Sequence, residues 1–210
     1  MMVDNISIVK ESAVAEPDPI NLRIARRVAE LRAGAGLSLA ALAKRCNVSR
    51  SMISLVERGE ASATAVVLEK LAAGLGVALA SLFDAPRAMP GPLLRRGEQA
   101  QWRDPASGYL RRNVSPPDHP SAFCIVEVEF PAGRRVVLEG AAPGNLIQQQ
   151  VWVLEGAMEL TQGGQTHRLA AGDCLAMQLD GPMEYRNPTR KPARYAVVVA
   201  NDTPARRPRR

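Results

Sequence analysis

Aromatic side chains are scarce in this 210-residue chain: two Trp, three Tyr and three Phe, 4% of the total. Binders of single-stranded nucleic acid stack successive bases on aromatic faces, so a base-stacking platform is not expected. Histidine is scarcer still, with only His119 and His167, and the three cysteines, Cys46, Cys124 and Cys174, stand far apart. Neither set has the paired spacing of a zinc site or the even count of a disulfide framework. The cysteines read as buried small apolar side chains in a reducing compartment. No apolar run approaches the roughly 20 residues that a membrane-spanning helix needs. The start, MMVDNISIVKESAVAEPDP, lacks the basic end and unbroken apolar stretch of a signal peptide. The expected location is the cytoplasm, with no membrane partner.

Positive charge is in excess. The formal net charge is +6, which makes polyanions plausible partners, because each Lys or Arg that neutralises a phosphate gains from counterion release. Part of the excess lies in Arg206, Arg207, Arg209 and Arg210, read as a solvated basic tail over 203–210.

The texture of the chain changes along its length. Residues 1–19 are polar and interrupted by Pro17 and Pro19, which suggests a loose arm. From 20 to 84 apolar residues recur at helical spacing between good start and stop signals. Ile24, Val28 and Leu31 make one stripe, ended by Gly34 and Gly36. Ser38 and Ser49 are suited to cap the next two helices, each with a hydrophobic staple, Leu37 with Leu42 and Val48 with Ile53. Ser62 or Thr64 opens a fourth helix that ends around Gly74 and Gly76, and ALASLF supplies a short fifth. A proline-rich linker spans 85–92. From 93 to 202 short strand-like runs alternate with turn residues: SAFCIVEVEF, RRVVLE, QQVWVLEG, AMELTQ, THRLAAGD and ARYAVVVA. Gly163 and Gly164 fit a two-residue hairpin turn. Strands without intervening helices indicate a sandwich or small barrel.

The segment SLAALAKRCNVSRSMISLVERGEAS resembles the phage-repressor (Xre-type) helix-turn-helix family, through Val48-Ser49, Ile53-Ser54 and Glu57-Arg58-Gly59. Ala63 stands where that family often has proline. The residues support the same assignment on physical grounds. In the helix that starts at Ser49, Ile53 and Val56 face the core and leave Arg50, Ser51, Ser54, Leu55 and Arg58 outward. Arg and Ser at the start of an exposed helix suit a major groove, where Arg pairs bidentately with guanine and the helix dipole favours phosphate. Arg50 and Ser51 are the expected base readers, with Ser54 and Leu55 next; Ser49, Arg58 and Arg45 complete the candidate DNA-binding set, and Lys44, Arg26 and Arg27 are further phosphate candidates. The resemblance implies that Arg32 and Glu57 form an internal ion pair. One such unit reads few base pairs, so a two-fold dimer on double-stranded operator DNA is expected.

The later segment, VWVLEGAMEL and then LAAGDCLAMQLDGPMEYRN, is similar to the cupin family of small β-barrels over about 110–200, with VLEG and Gly172-Asp173 as its best marks. Metal-binding cupins carry His-x-His and then Glu six residues before a Gly, and later a His four residues before an Asn. Here Gln149 stands at the Glu position, Pro143 and Asn145 near the paired His positions, and Met183 at the second-motif His ahead of Asn187. There is no His between His119 and His167. Amide and thioether bind divalent ions poorly, so neither metal nor another cofactor is expected. The barrel can still hold a small ligand. Candidate lining residues are Gln149, Trp152, Met177, Met183, Tyr185 and Asn187, with Arg111 or Arg112 to fix a polar or anionic metabolite. Strand alternation sets Gln149 and Trp152 on opposite faces. Ordinary core packing is the competing account of Trp152, Met177 and Met183.

The chain thus reads as an α + β two-domain protein, a five-helix helix-turn-helix bundle followed by a cupin-like barrel. The function implied is a homodimeric transcriptional regulator, a repressor rather than an enzyme, with a small-molecule effector. The alternatives are a cupin enzyme with an accessory DNA module and an antitoxin-like interaction protein.

Overall fold

A computed structural model describes residues 19–83, 91–117, 121–139 and 147–200. The expected arm, most of the linker, the basic tail, His119, Pro143 and Asn145 lie outside these residues.

Four helices form the first unit: α1 (Pro19–Gly34), α2 (Leu39–Cys46), α3 (Arg50–Glu57) and α4 (Ala65–Leu75). Their boundaries follow from side-chain caps. Ser38 accepts from Ala41 N at 3.1 Å, Ser49 from Met52 N at 3.1 Å and Thr64 from Val67 N at 3.4 Å, each satisfying an amide that the first helical turn cannot. Thr64, not Ser62, opens α4. Val28, Leu42, Ile53, Leu68 and Leu71 have no exposure and hold the helices together. Gly74 is a packing residue inside α4 rather than its end, since a Cβ there would lie 2.7 Å from Cys46 Cβ on α2. The expected fifth helix is instead a single 3-10 turn, Leu79–Leu82. The four residues of this turn, which follows the left-handed Gly76 cap, make too few hydrogen bonds to offset helix nucleation; Ser81 N and Phe83 N bond three residues back.

Among the described residues the second unit contains ten strands: β1 (Gln101–Arg103), β2 (Leu110–Asn113), β3 (Phe123–Phe130), β4 (Arg135–Leu138), β5 (Ile147–Glu155), β6 (Ala157–Gln162), β7 (Gln165–Ala170), β8 (Cys174–Leu179), β9 (Met183–Arg186) and β10 (Ala193–Ala200). They make a six-stranded sheet, β1-β2-β3-β10-β5-β8, and a four-stranded sheet, β4-β9-β6-β7. The expected closed barrel is corrected to two facing sheets. The chain passes from one sheet to the other between β5 and β6 at Gly156, whose φ of 77° is strained for any side chain. A Cβ there would also sit 3.0 Å from Pro192 O. Val126, Val128, Phe130, Val151, Val153 and Val197 of the larger sheet face Met158, Leu160, Met183 and Tyr185 of the smaller, all buried. Gly163 and Gly164, at φ 56° and 80°, make the expected β6–β7 hairpin.

The two units are joined through α4 and the 3-10 turn. Asp104, 2% exposed, accepts from Ala65 N at 2.9 Å and from Ser107 N at 2.7 Å, so a carboxylate of the second unit meets the positive start of α4. Asn113 Nδ2 donates to Ala80 O at 3.1 Å. Lys70 Nζ pairs with Glu139 at 2.6 Å, and Glu139 N donates to Glu69 at 2.8 Å.

Candidate functional site

Two surfaces carry chemistry. The first is the outer side of α3. Arg50 and Ser51 stand exposed at its start, and Ser54 and Leu55 half-buried one turn on. Ser49, the cap, also lies 3.1 Å from the Ser51 hydroxyl. Arg45 and Lys44 are exposed at the end of α2. Arg58 is engaged within the chain, with Nε and Nη2 on the Glu60 carboxylate at 2.7 and 2.8 Å and Nη1 on Ser54 Oγ. That hydrogen bonding raises the Arg58 pKa and lowers that of Glu60. Behind α3, Arg32 grips Glu57 bidentately at 2.6 and 2.8 Å and donates to Leu37 O at 2.9 Å. The Glu57 hydrogen bond holds the Arg32 guanidinium above its ordinary pKa. The ion pair implied by the resemblance therefore forms. It ties α1 to α3 and fixes the orientation of the exposed face.

The second surface is a cavity of about 110 Å³ between the sheets and the α4 end of the first unit. Arg111, Gln149, Met183 and Tyr185 line it, as the sequence anticipates. Gln149 Nε2 donates to Tyr185 Oη at 2.7 Å and lies 3.2 Å from Met177 Sδ. An amide, a phenol and thioethers at these positions do not fit a divalent cation. Among the described residues no three of His, Cys, Asp and Glu come together. Burial pushes the Tyr185 phenol up to about 12 and raises Tyr109 and Tyr195 as well, so all three are neutral hydroxyls at physiological pH.

Three candidates lie elsewhere. Trp152, 50% exposed, points to the outer face of the larger sheet, as its alternation from Gln149 requires. Asn187 is fully buried, but its amide donates to Phe130 O and Lys191 O and its carbonyl accepts from Thr189; it organises the β9–β10 turn. Arg112 lies on the opposite face of the sheet from the cavity, buried, and pairs with Glu127 at 2.6 Å. Cys46 is buried and Cys174 exposed, so burial does not describe all the cysteines.

The sequence reading missed the ring system behind the cavity. Phe83, Trp102, Tyr109, Phe130, Tyr195 and Tyr185 form one chain, with successive centroids 5.5, 5.9, 5.7, 6.3 and 6.2 Å apart. It also missed the wall that α4 supplies, through Glu69, Ala72 and Ala73. No local pattern signals a contact across the linker.

Comparison with known proteins agrees with this division. Residues 28–82 match the helix-turn-helix family and residues 128–199 the cupin domain family. The chain is 25% identical over 158 residues to the HTH-type transcriptional regulator SutR of Escherichia coli, covering 75% of this chain and 83% of that one. It is 27% identical over 190 residues to the HTH-type transcriptional regulator PuuR of the same organism, covering 85% and 94%. A crystal structure of an HTH_3 family transcriptional regulator from Vibrio cholerae superposes with a TM-score of 0.71 at 27% identity, covering 87% of this chain and 97% of the other.

Proposed function

We propose that this chain, an Xre-type helix-turn-helix transcriptional regulator with a cupin domain, binds its operator as a two-fold dimer, represses from it, and responds to a small molecule held in the second unit. The observation that carries the reading is the exposed start of α3. Arg50 and Ser51 stand clear there, on a helix whose orientation is fixed by the Arg32–Glu57 pair, as major-groove reading requires. The names of the relatives support regulation over catalysis.

Dimerisation is assigned to the outer face of the six-stranded sheet. Phe123 and Trp152 stand there, each 50% exposed, on strands β3 and β5 that flank β10, with Ala196, Val198 and Ala200 on the same side of β10. Two recognition helices about one DNA turn apart need such a contact.

The test is fluorescence anisotropy with the promoter DNA beside the protein's own gene, against random DNA, across a salt series. Tight, promoter-selective binding is expected. Equal affinity for both DNAs sinks the reading and directs attention to a partner-protein role.

A further inference from the structure

Alternation along β2 separates two adjacent arginines. Arg112 points away from the cavity to Glu127, whereas Arg111, paired across the sheet with Val128 and Trp102, points into the cavity. Its Nε is buried without a hydrogen-bond partner. Its guanidinium carbon lies 5.3 Å from the centre of the Phe83 ring, and no carboxylate among the described residues pairs with it. The groups that act on it are the phenols of Tyr109, Tyr195 and Tyr185 and the Cys124 thiol, and burial pulls its pKa down. Arginine nevertheless stays a cation in proteins. A largely buried charge without a counter-ion is costly, and a retained cost of that kind points to a ligand that supplies the counter-ion.

We propose that this cavity binds a small carboxylate with a short apolar body, its charge on Arg111, and that the DNA-binding unit forms one wall of the site. The shape of the ligand follows from the lining. One guanidinium, together with the Tyr185 hydroxyl, matches a monoanion. Tyr185 Oη accepts from Gln149, which leaves its own O–H to donate. Val136, Leu138, Ile147, Leu179 and Val199 present hydrocarbon, which disfavours a dianion such as phosphate. The volume, about 110 Å³, is well under the roughly 300–1,000 Å³ of drug-sized pockets. The wall formed by Ala72 and Ala73 of α4 and by Val77 and Leu79 before and in the 3-10 turn is continuous with the core that carries α3. Glu69 also lines the cavity, its Oε2 held by the Glu139 amide. A ligand that packs against this wall prefers one seating of the DNA-binding unit, and that preference bounds its effect on DNA affinity.

The link to DNA rests on the regulator reading above; the site itself does not. Full-length protein is titrated calorimetrically with butyrate, its neutral isostere butyramide, its cationic isostere butylamine, and inorganic phosphate, up to millimolar concentrations. Arg111→Met and the exposed control Arg168→Met are titrated alongside. Saturable butyrate binding is expected, about tenfold or more tighter than the isosteres (1.4 kcal/mol per tenfold), lost in Arg111→Met and kept in Arg168→Met. No butyrate binding, equal binding of butyramide, or preference for phosphate overturns the proposal. The Arg111→Met protein without added ligand should melt at or above the wild-type temperature, because an unpaired buried charge has been removed; a clear fall makes Arg111 structural and overturns it too. Butyrate should also change operator affinity in the wild type and not in Arg111→Met. Binding without that change overturns the coupling. Loss of operator selectivity in the ligand-free wild type instead overturns the regulator reading and leaves the titration result standing.

Discussion

At the residue scale, alternation and pairing decide which charged groups are available. Arg50 has no ion pair among the described residues, while the neighbouring Arg58 is occupied by Glu60 and Ser54. Arg50→Ala should therefore weaken specific DNA binding by about 1–3 kcal/mol and leave the fold intact; equal losses on operator and random DNA in anisotropy would remove it as a base reader. The Arg32–Glu57 pair predicts a different signature. Its side chains are only 21% and 11% exposed, and removing either partner strands the other. Arg32→Ala should lower stability by about 1.5–3 kcal/mol in denaturant titrations, with a double mutant costing much less than the sum. Surface ion pairs such as Arg168–Glu159, with Arg168 85% exposed, should contribute about 0–1 kcal/mol.

At the element scale, close approaches mark where the chain has no freedom. Gly74 lets α4 lie against α2, so Gly74→Val should cost about 1–3 kcal/mol or more through overpacking, read as a lower thermal midpoint and lost DNA binding. The helices were largely legible in the sequence because their caps are local: Ser38, Ser49 and Thr64 announce themselves by residue type. The turn at Leu79–Leu82 was mistaken for a helix because apolar spacing over so few residues does not distinguish the two. Strands β3 to β7 and β10 were legible from period-two patterns and turn glycines. β1 and β2 were not, since β2 finds its place by pairing with β3 and β1 by pairing with β2, relations between separate segments of the chain. For the candidate site, Gln149 and Met183 were legible through the family pattern and Tyr185 through its place beside Met183, whereas the choice between Arg111 and Arg112 waited on the strand pairing. Tyr109 and Glu69 were not legible, because the fold brings them to the cavity from two separate segments, nor was Phe83, whose ring lies against Arg111.

At the scale of the whole molecule, α4 belongs to two cores. It packs on α1 and α2 through Leu68 and Leu71, and it closes the cavity through Ala72 and Ala73. Dimerisation belongs to this scale as well. If the proposed dimer forms through the outer face of the larger sheet, Trp152→Glu should give a monomer in light scattering and reduce operator affinity, with no change in circular dichroism; a dimer that persists would exclude that face.

The hydrogen bond from Ala65 N to the buried carboxylate of Asp104 has a consequence in time as well as in energy. The first amides of a helix have no partner within it and normally exchange with solvent deuterium almost at once. In α4 that amide is held by an acceptor from the other unit, so its protection lasts only while the two units stay together. Ala65 is thus a built-in clock for their separation. Its exchange should be slow in the intact protein and fast in Asp104→Ala, while the interior amides of α4 stay protected in both, so that its rate measures how often the two units part without the helix itself unfolding.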